Sequence, residues 1–298
     1  MTVTTRVALA TSTPGLDEDS DMPALLEALR SRGVDAVAVA WDDADFDWSA
    51  CDTVVIRSTW DYPLRRSEFL AWAGAVQAVA RLDNPAGVVR WNTDKVYLQD
   101  LARLGVPVVP TRFIAPGEEV VLPDGGQFVV KPSVSAGAYG TARYTQAQHD
   151  LAAGHVAELH AAGATVMVQP YLSRIDEGER ALVFLGGAFS HAIRKDPVLT
   201  ETGVVDNERV PHPNLRPHRP SAAELALAGA ALAAVPERQD ELLYARVDIA
   251  DADDGSPVVM ELELVEPNLF MDQEAEGPAR FADLVLARAA AARAGVRT

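Results

Sequence analysis

Cysteine, basic charge and long apolar runs are all scarce in this sequence of 298 residues. Its only cysteine, Cys51, excludes an internal disulfide and a cluster of thiolates around zinc or an iron–sulfur centre. No segment reaches the roughly 18 to 20 consecutive apolar residues that a membrane span needs, and the N-terminus lacks the basic head and apolar run of a secretory signal. We therefore expect a cytoplasmic protein without a membrane partner.

The shortage of basic residues also restricts the class of partner. Lys and Arg number 26 against 43 Asp and Glu, so the formal net charge is -17. Such a chain repels a phosphate backbone, and no basic run interleaved with aromatic residues offsets the repulsion. We expect no nucleic-acid partner. With 48% hydrophobic residues, the chain has the composition of an ordinary globular protein.

Short apolar segments alternate with helical patterns over the first 91 residues. Residues 6–12 (RVALATS) are typical of a buried strand, and Asp21 and Pro23 begin the next helical pattern as cap and first-turn proline. Two more strands are predicted in VDAVAVAW and DTVVI, followed by a helix over 66–81. This alternation predicts an N-terminal βαβ domain over 1–91.

Two loops of this domain carry polar side chains. Thr11 and Ser12 follow the first strand, and residues 57–62 follow the third. In alternating α/β sheets, ligands bind in the crevice beyond the carboxyl ends of the strands. Both loops are therefore candidate ligand-binding segments.

The remaining patterns predict two α+β units, over 92–172 and 173–298. At the start of the first unit, Asn92 is expected to cap a helix that ends at Gly105. The other predicted elements are a strand over 127–132, a small-residue loop, a helix to residue 162, a strand over 165–172, two strands between 177 and 195, a surface excursion over 199–220, a helix over 221–235, a hairpin over 244–264 and a closing helix. The fold class expected is mixed α/β (α+β).

Carboxylates converge on the predicted hairpin. Strand alternation places Glu261 and Glu263 on one face of MELEL, and Asp248 on the partner strand can face them. Three carboxylates across two strands suit a hard divalent ion such as Mg²⁺. An exposed polar strand face would give the same pattern, so the carboxylates alone leave both interpretations open.

Two lysines favour the metal interpretation. Lys131 ends an apolar strand before a loop of small residues, and Lys95 lies in the first turn of a predicted helix, where a cation is unfavourable unless an anion approaches. The loop over 133–140, with Ser135 and Gly137, can bring backbone N–H groups close to phosphate oxygens, although such a loop is also common as a plain turn. Nucleotide phosphates would explain both lysines and the loop.

In this order, the features resemble the ATP-grasp superfamily, and most closely its glutathione-synthetase-like branch, over residues 92–267. The resemblance implies an ATP-grasp fold in which the N-terminal βαβ domain is joined to two α+β subdomains that grip ATP. The adenine-binding strand and hinge of the family match VMVQPYL in this sequence. The residues that the resemblance assigns to ATP are Lys95, Lys131, Ser135, Gly137, Gln169, Tyr171, Leu172 and Glu179.

The resemblance also implies a metal site. The family motif is an aspartate on one strand, Glu-x-Asn on the next, and a proline shortly afterwards. Asp248, Glu261 and Glu263 take these places, with glutamate where asparagine is usual, so either Glu263 or Asn268 completes the ligand set. The implied ion is Mg²⁺, for which Mn²⁺ can substitute.

Arg194 and Lys195 end the strand pattern SHAIRK and match the family position that contacts the transferred phosphoryl group. The implied reaction passes the γ-phosphoryl group of ATP to a substrate carboxylate, and a nitrogen nucleophile then displaces phosphate from the acyl phosphate. Ordinary surface charge is the alternative role for both residues.

Over the whole chain, the segments VVIRSTWDYP, WNTDKVYL and ELELVEPNLF are similar to the subset of ATP-grasp proteins that includes the cyclo-ligases of D-cycloserine biosynthesis. The implied reaction activates the carboxylate of O-ureido-D-serine and closes a ring by intramolecular nitrogen attack. The residues expected to bind the polar groups of the amino acid are Thr11, Ser12, Arg57 and Ser58. Trp60 and Tyr62 would wall the pocket, or else pack beneath a loop.

Two other functions remain open at this point. One is an ATP-grasp ligase that joins two amino acids, and the other is a nucleotide-binding regulatory module without turnover. The family resemblance favours a homodimer or larger oligomer. The excursion over 199–220, with Arg209 as a candidate site residue, is interpreted as a lid, a subunit contact or a plain loop.

Overall fold

The structure is a computed structural model that describes residues 4–199, 201–207, 214–237 and 241–295, and the candidate Arg209 lies outside these ranges. Within them, the strands form three sheets. No helix in the described ranges is long and apolar enough to span a membrane.

The first sheet is parallel and contains the N-terminal strands. These are β1 (Arg6–Thr11), β2 (Asp35–Ala40), β3 (Thr53–Ile56) and β4 (Arg81–Asp83), in the spatial order β2-β1-β3-β4. Its helices are α1 (Gly15–Glu18), α2 (Met22–Arg30) and α3 (Arg66–Val79). Alternation sends Val7 and Leu9 into the core beneath α2, and Ala8 and Ala10 into the core beneath α3. The predicted βαβ pattern is present, with β4 added to it because a three-residue strand leaves no periodic signal.

The second sheet is antiparallel and contains the segment around Lys131. Its strands are β5 (Arg112–Ile114), β6 (Gln127–Pro132), β7 (Ala142–Thr145) and β8 (Val166–Pro170), in the order β5-β8-β6-β7. Two helices precede it, α4 (Ala86–Asn92) and α5 (Tyr97–Arg103), and α6 (His149–Ala161) covers one face. The loop between β6 and β7 is the small-residue loop identified in the sequence.

The third sheet is antiparallel and contains the carboxylate hairpin. Its strands are β9 (Glu179–Leu185), β10 (Ala188–Lys195), β11 (Leu215–Pro217), β12 (Tyr244–Asp251) and β13 (Pro257–Glu263), in the order β11-β10-β9-β12-β13. The helices beside it are α7 (Ala222–Ala233) and α8 (Gly277–Gly295). Ser221 caps α7, since its hydroxyl accepts from the Glu224 N–H while the Glu224 carboxylate accepts from the Ser221 N–H.

The first and third sheets share one apolar core. Leu25 and Leu29 of α2 pack in the same cluster as Val183 of β9 and as Phe281 and Val285 of α8. Burial of this cluster joins the two ends of the chain and orients the loops after β1 and β3 toward the hairpin. The predicted boundaries at residues 91 and 172 fall between the three sheets, and independent folding of the three units stays a prediction.

Two local predictions were wrong. Asn92 ends α4 instead of capping a helix, and Lys95 lies in the turn between α4 and α5 instead of in a first helical turn. The Asn92 amide donates to Leu262 O at 2.8 Å and accepts from Leu264 N at 2.7 Å. The Asn92 side chain therefore binds backbone groups at the edge of β13 instead of capping a helix. Buried polar groups at a strand edge need such partners.

Candidate active site

A cavity of about 450 Å³ lies where the three sheets meet. Strands β6 and β8 contribute one wall, and β9, β10, β12 and β13 contribute another. Glu18 of α1 and Trp60 of the loop after β3 come from the first sheet. The predicted residues that line this cavity are Lys95, Lys131, Ser135, Gly137, Gln169, Tyr171, Leu172, Glu179, Lys195, Asp248, Glu261, Glu263 and Asn268. The structure thus brings together residues that span 174 positions of the sequence, from 95 to 268.

The apolar part of the cavity is formed where β8 runs into the following loop. Leu172 is buried against Val109 and Val258, and Tyr171 N donates to Gln127 O at 2.8 Å. The guanidinium carbon of Arg143 lies 3.6 Å from the centre of the Tyr171 ring, a cation–π contact that holds the ring in place. A slot with this lining suits a planar aromatic base.

The two lysines lie beside the small-residue loop. Lys95 N and Nζ donate to Ser133 O at 2.8 Å and to Ser135 O at 2.6 Å, and Nζ also pairs with Glu261 at 2.8 Å. Lys131 has no ion pair among the described residues, and burial lowers its pKa. A partly buried cation that no carboxylate contacts directly is an attractive site for an anionic group such as phosphate.

Asp248 is the centre of the charged cluster and is 2% exposed. It accepts from Lys195 Nζ at 2.6 Å and from Arg246 Nε at 2.9 Å and Nη2 at 3.0 Å. Burial raises the pKa of Asp248, but the two cations outweigh burial and leave the pKa below its usual range. Asp248 therefore stays ionised and holds both cations in the cavity wall.

Arg246 was missed in the sequence and is the largest addition to the site. Its guanidinium pairs with Asp248 and Glu263, and Nη1 donates to Asn268 O at 3.0 Å. The signal was present in ARVDI, because strand alternation places Arg246 and Asp248 on the same face of β12. Strand alternation in the sequence pointed to the carboxylates of β13, and the same alternation in β12 also selects Arg246.

Two carboxyl groups of this cluster, Glu263 and Glu266, hold their protons more tightly than usual. Burial raises the pKa of Glu263 to about 7, against the attraction of Arg246 and with added repulsion from Asp248 and Glu261. Burial and repulsion from Glu263 raise the pKa of Glu266 to about 8. Among the described residues, no three His, Cys, Asp or Glu side chains are arranged to hold a metal ion as they stand, since a basic partner attracts each of Asp248, Glu261 and Glu263.

We expect the free energy of unfolding to fall as the pH rises from about 6.5 to about 8. The raised pKa values of Glu263 and Glu266 mean that these two groups bind more protons in the folded protein than in the unfolded chain, and the stability that they contribute is lost as the pH passes through about 7 and about 8. Burial lowers the pKa of His155 and His191, and these two groups act in the opposite direction only below this range. Thermal denaturation without nucleotide or metal measures the trend. Glu266→Gln should make the melting temperature less dependent on pH. Glu276→Gln, on the exposed surface, should leave the pH dependence unchanged. A melting temperature that rises over this range would contradict the assignment.

Arg194 was predicted to be catalytic, and the structure places it elsewhere. Consecutive side chains of a strand point to opposite faces, so Lys195 of β10 enters the site while Arg194 enters a separate cavity of about 290 Å³ beside Arg180 and Glu224. Arg194 lies over Gly178, where a Cβ would stand 2.8 Å from Nε. The pairing of Arg194 with Lys195 in one catalytic role is therefore corrected.

A substitution separates the two neighbours. Arg194→Met should leave the rate of ADP release within about twofold of the parent enzyme, because no reacting group lies on its side of the sheet. Lys195→Met should reduce the rate about 100-fold, because it removes a cation from the cavity. Steady-state rates of the two purified variants test this difference. Equal losses would support the prediction that Arg194 and Lys195 share one catalytic role.

The four residues predicted to bind substrate are buried among themselves and are not part of the cavity wall. Thr11 Oγ1 lies 2.6 Å from Ser58 Oγ, and Ser12 Oγ donates to Ser58 O at 3.0 Å. Arg57 is 1% exposed, and its Nη2 donates to Asp21 at 3.3 Å. Thr11, Ser12 and Ser58 bind one another, and Arg57 faces Asp21 inside the loop junction. Their absence from the cavity wall corrects the direct substrate contacts predicted from the sequence.

The two aromatic residues of the same segment separate. Trp60 lines the cavity, where its Nε1 donates to Glu266 O at 3.0 Å. Tyr62 is buried and stacks on Phe69 with ring centres 5.2 Å apart. Trp60 thus forms a wall as predicted, while Tyr62 packs beneath the loop.

Comparison with known proteins identifies the family. The chain is 40% identical over 296 residues to the cycloserine biosynthesis protein DcsG of Streptomyces lavendulae, which covers 95% of this chain and 98% of that protein. The chain belongs to the DcsG family of ATP-grasp ligases. The family model for the N-terminal domain of D-cycloserine synthetase DcsG matches residues 7–84. A crystal structure of D-cycloserine synthetase DcsG superposes with a TM-score of 0.87 at 38% identity, covering 95% of this chain and 99% of that one.

More distant structures agree on the fold. A RimK domain ATP-grasp protein from Sphaerobacter thermophilus DSM 20745 gives a TM-score of 0.66 at 20% identity, over 94% of this chain and 99% of that one. The D-alanine–D-alanine ligase of Bacillus anthracis complexed with ATP gives 0.68 at 14% identity, over 98% of this chain and 99% of that one. The ATP-grasp fold predicted from the sequence is confirmed, and the protein is an ATP-dependent ligase.

Proposed function

We propose that the protein converts O-ureido-D-serine to D-cycloserine, with ATP giving ADP and phosphate and with release of carbon dioxide and ammonia. The observation that supports this substrate most directly is the 40% identity to a cycloserine biosynthesis protein over 95% of the chain. The cavity supports the ATP half of the reaction on its own, since buried cations and carboxylates adjoin an apolar slot. ATP is a cytoplasmic cosubstrate, so the proposed activity also places the enzyme in the cytoplasm.

ATP would occupy the cavity from the slot to the lysines. Residues 169–172 form the wall for the adenine, and Glu179 is the carboxylate for the ribose hydroxyl groups. The phosphates would meet Lys95, Lys131 and the backbone of the loop at 135–137. Lys131 is the strongest support for this orientation, because among the described residues no carboxylate pairs with it.

The chemistry proposed has three steps. A carboxylate oxygen of the amino acid forms a bond to the γ-phosphorus, and the bond between that phosphorus and ADP breaks. The nitrogen bonded to oxygen then attacks the acyl carbon, phosphate leaves with the bonding electrons, and the nitrogen proton passes to solvent. Water finally adds to the carbamoyl group on the ring nitrogen. The bond between the carbamoyl carbon and this nitrogen breaks, the nitrogen takes up a proton, and the carbamoyl group is released as carbon dioxide and ammonia.

The side chains of the cavity would act mainly by position and charge. Lys195 and Arg246 are held by Asp248 in one fixed arrangement, so their charge requires little reorganisation as the phosphoryl group moves. Ring closure within one molecule needs only that the nitrogen be held near the acyl carbon. The amino acid would share the cavity with ATP and lie against Trp60. This confinement would hold the nitrogen near the acyl carbon.

Asp248, Glu261 and Glu263 are the residues that would hold Mg²⁺, with Asn268 beside them and Mn²⁺ as a substitute. Their oxygen donors are of the kind that hard divalent ions prefer. Burial raises the pKa of Glu263, with added repulsion from Asp248 and Glu261 that a bound cation would relieve. When bound, the ion supplies positive charge at the β and γ phosphates.

ADP release from the purified protein with ATP and Mg²⁺ tests the proposal. O-ureido-D-serine alone should support turnover, and D-cycloserine should appear in the same molar amount as ADP. Single D- and L-amino acids and their pairs serve as comparisons. Turnover only with pairs would indicate an intermolecular ligase, and ATP binding without turnover on any substrate would indicate a regulatory module.

A further inference from the structure

A short segment between β13 and α8 forms part of the cavity wall and also contacts Arg246. Asn268, Phe270 and Asp272 line the cavity, while Leu269 and Met271 between them are buried in the core. Phe270 has a φ of 51°, in the left-handed region that non-glycine residues rarely adopt. Such a backbone persists only where its surroundings hold it, so the contacts of this segment, which we call the 268–272 loop, are informative.

One side chain from the other end of the chain holds the 268–272 loop. Asp21, just before α2, accepts from Leu269 N at 2.7 Å and from Met271 N at 2.7 Å, one bond to each carboxylate oxygen. The sequence pattern had assigned Asp21 to the helix N-terminus, yet it makes no side-chain cap bond there. Its carboxylate is directed instead at two backbone N–H groups about 250 residues away in the sequence.

Arg57 completes this arrangement from the end of β3. Its Nη2 lies 3.3 Å from Asp21 and 3.9 Å from Asp19, and both Arg57 and Asp21 are 1% exposed. Within the part of the chain that the structure describes, Nε and Nη1 of Arg57 have no hydrogen-bond partner. The buried guanidinium thus depends on Asp21 for its nearest counter-charge, and Asp21 depends on Arg57 to stay ionised in an apolar core.

We propose that Asp21 and Arg57 form a positioning pair that fixes the 268–272 loop, and through it Arg246, for the reaction of the amino-acid substrate. The inference rests on the proposed function for its kinetic consequence only. Bonds to Leu269 N and Met271 N fix the residue between them, and the neighbouring Asn268 O accepts from Arg246 Nη1 at 3.0 Å. If the loop is displaced at these two points, it no longer forms its part of the cavity wall, and it no longer holds the Arg246 guanidinium.

Asp21→Asn is the test substitution, because it keeps the size of the side chain and replaces one acceptor with a donor that opposes a loop N–H. We expect kcat/KM for the amino acid to fall about tenfold or more, while KM for ATP stays within about twofold. The proposed adenine slot is formed by the end of β8 and the residues that follow it, which are a different segment from this loop. Asp17→Asn, an exposed aspartate four positions earlier, is the matched control and should behave as the parent.

Hydrogen–deuterium exchange supplies a readout that needs no substrate. In ligand-free Asp21→Asn, the backbone amides of Leu269 and Met271 should exchange faster than in the parent and in Asp17→Asn. Unchanged exchange at these two amides would overturn the inference. Because the exchange is measured without ligand, a parent enzyme that fails to turn over O-ureido-D-serine would contradict the proposed function and leave this result standing.

A combined substitution separates positioning from simple stability. Arg57→Met and Asp19→Asn in the Asp21→Asn background remove the buried cation together with the remaining buried carboxylate that faces it, so the melting temperature should recover toward the parent. The loop bond remains damaged, so kcat/KM for the amino acid should stay low. Recovery of both quantities together would show that the pair serves only stability, and would overturn the positioning role.

Discussion

Asp248→Asn is expected to lower the rate of ADP release about 1,000-fold, the largest loss among the substitutions considered. Among the residues that the structure describes, Asp248 is the one carboxylate that contacts both Lys195 and Arg246. An amide in its place carries no charge for the two cations and is a poorer donor for a divalent ion. The measurement is the steady-state rate with saturating ATP, Mg²⁺ and O-ureido-D-serine.

The control for this substitution lies in the same hairpin. Asp254 is exposed at the turn and accepts only from Ser256, so Asp254→Asn should retain the parental rate. Thermal denaturation must accompany the kinetics, since removing one partner of a buried pair costs on the order of 3 kcal/mol. An Asp248→Asn enzyme that is folded and retains more than about a tenth of the rate would contradict the central role of this carboxylate.

Arg246→Met is expected to lower the rate about 100-fold or more, because it removes a fixed positive charge from the cavity and releases Asp248 and Glu263 from their common partner. Arg246→Lys should recover only part of the loss. A lysine keeps the charge, but it lacks the planar fork that pairs with Asp248 through two hydrogen bonds.

Two comparisons decide the interpretation of Arg246→Met. Arg103→Met removes an exposed arginine from α5 and should leave the rate unchanged. Arg194→Met tests the residue that the sequence pattern had favoured. A greater loss for Arg194→Met than for Arg246→Met would show that the side of the sheet assigned to the reaction is wrong.

The sequence was sufficient for the longer elements and for placing a lysine next to the small-residue loop, because these features depend on local patterns. Apolar strands, a lysine at a strand end and a glycine loop are each encoded within about ten residues. Lys131 and the loop with Ser135 and Gly137 therefore lie where the sequence placed them, in the cavity wall. The resemblance identified the chain as an ATP-grasp ligase, and the comparisons confirm this family.

Predictions that depended on contacts between distant segments were the ones that changed. Asp21 was interpreted from its helical neighbours, yet its partners are Leu269 and Met271. Arg57 followed a strand in the position of a ligand-binding residue, yet it is enclosed at a junction of loops. Neither result could be read from spacing, because a buried charge is placed by whichever counter-charge the folded chain brings to it.

The sequence by itself determined the longer strands and helices, the ATP-grasp class, and which side chains project from each of these strands, since alternation acts over a few residues. The tertiary structure alone decided which face of β10 meets the cavity, so that Lys195 lines it and Arg194 does not. It also decided that Arg246 binds Asp248 and Glu263. These outcomes depend on how three sheets pack, and packing joins residues whose separation in sequence carries no local signal.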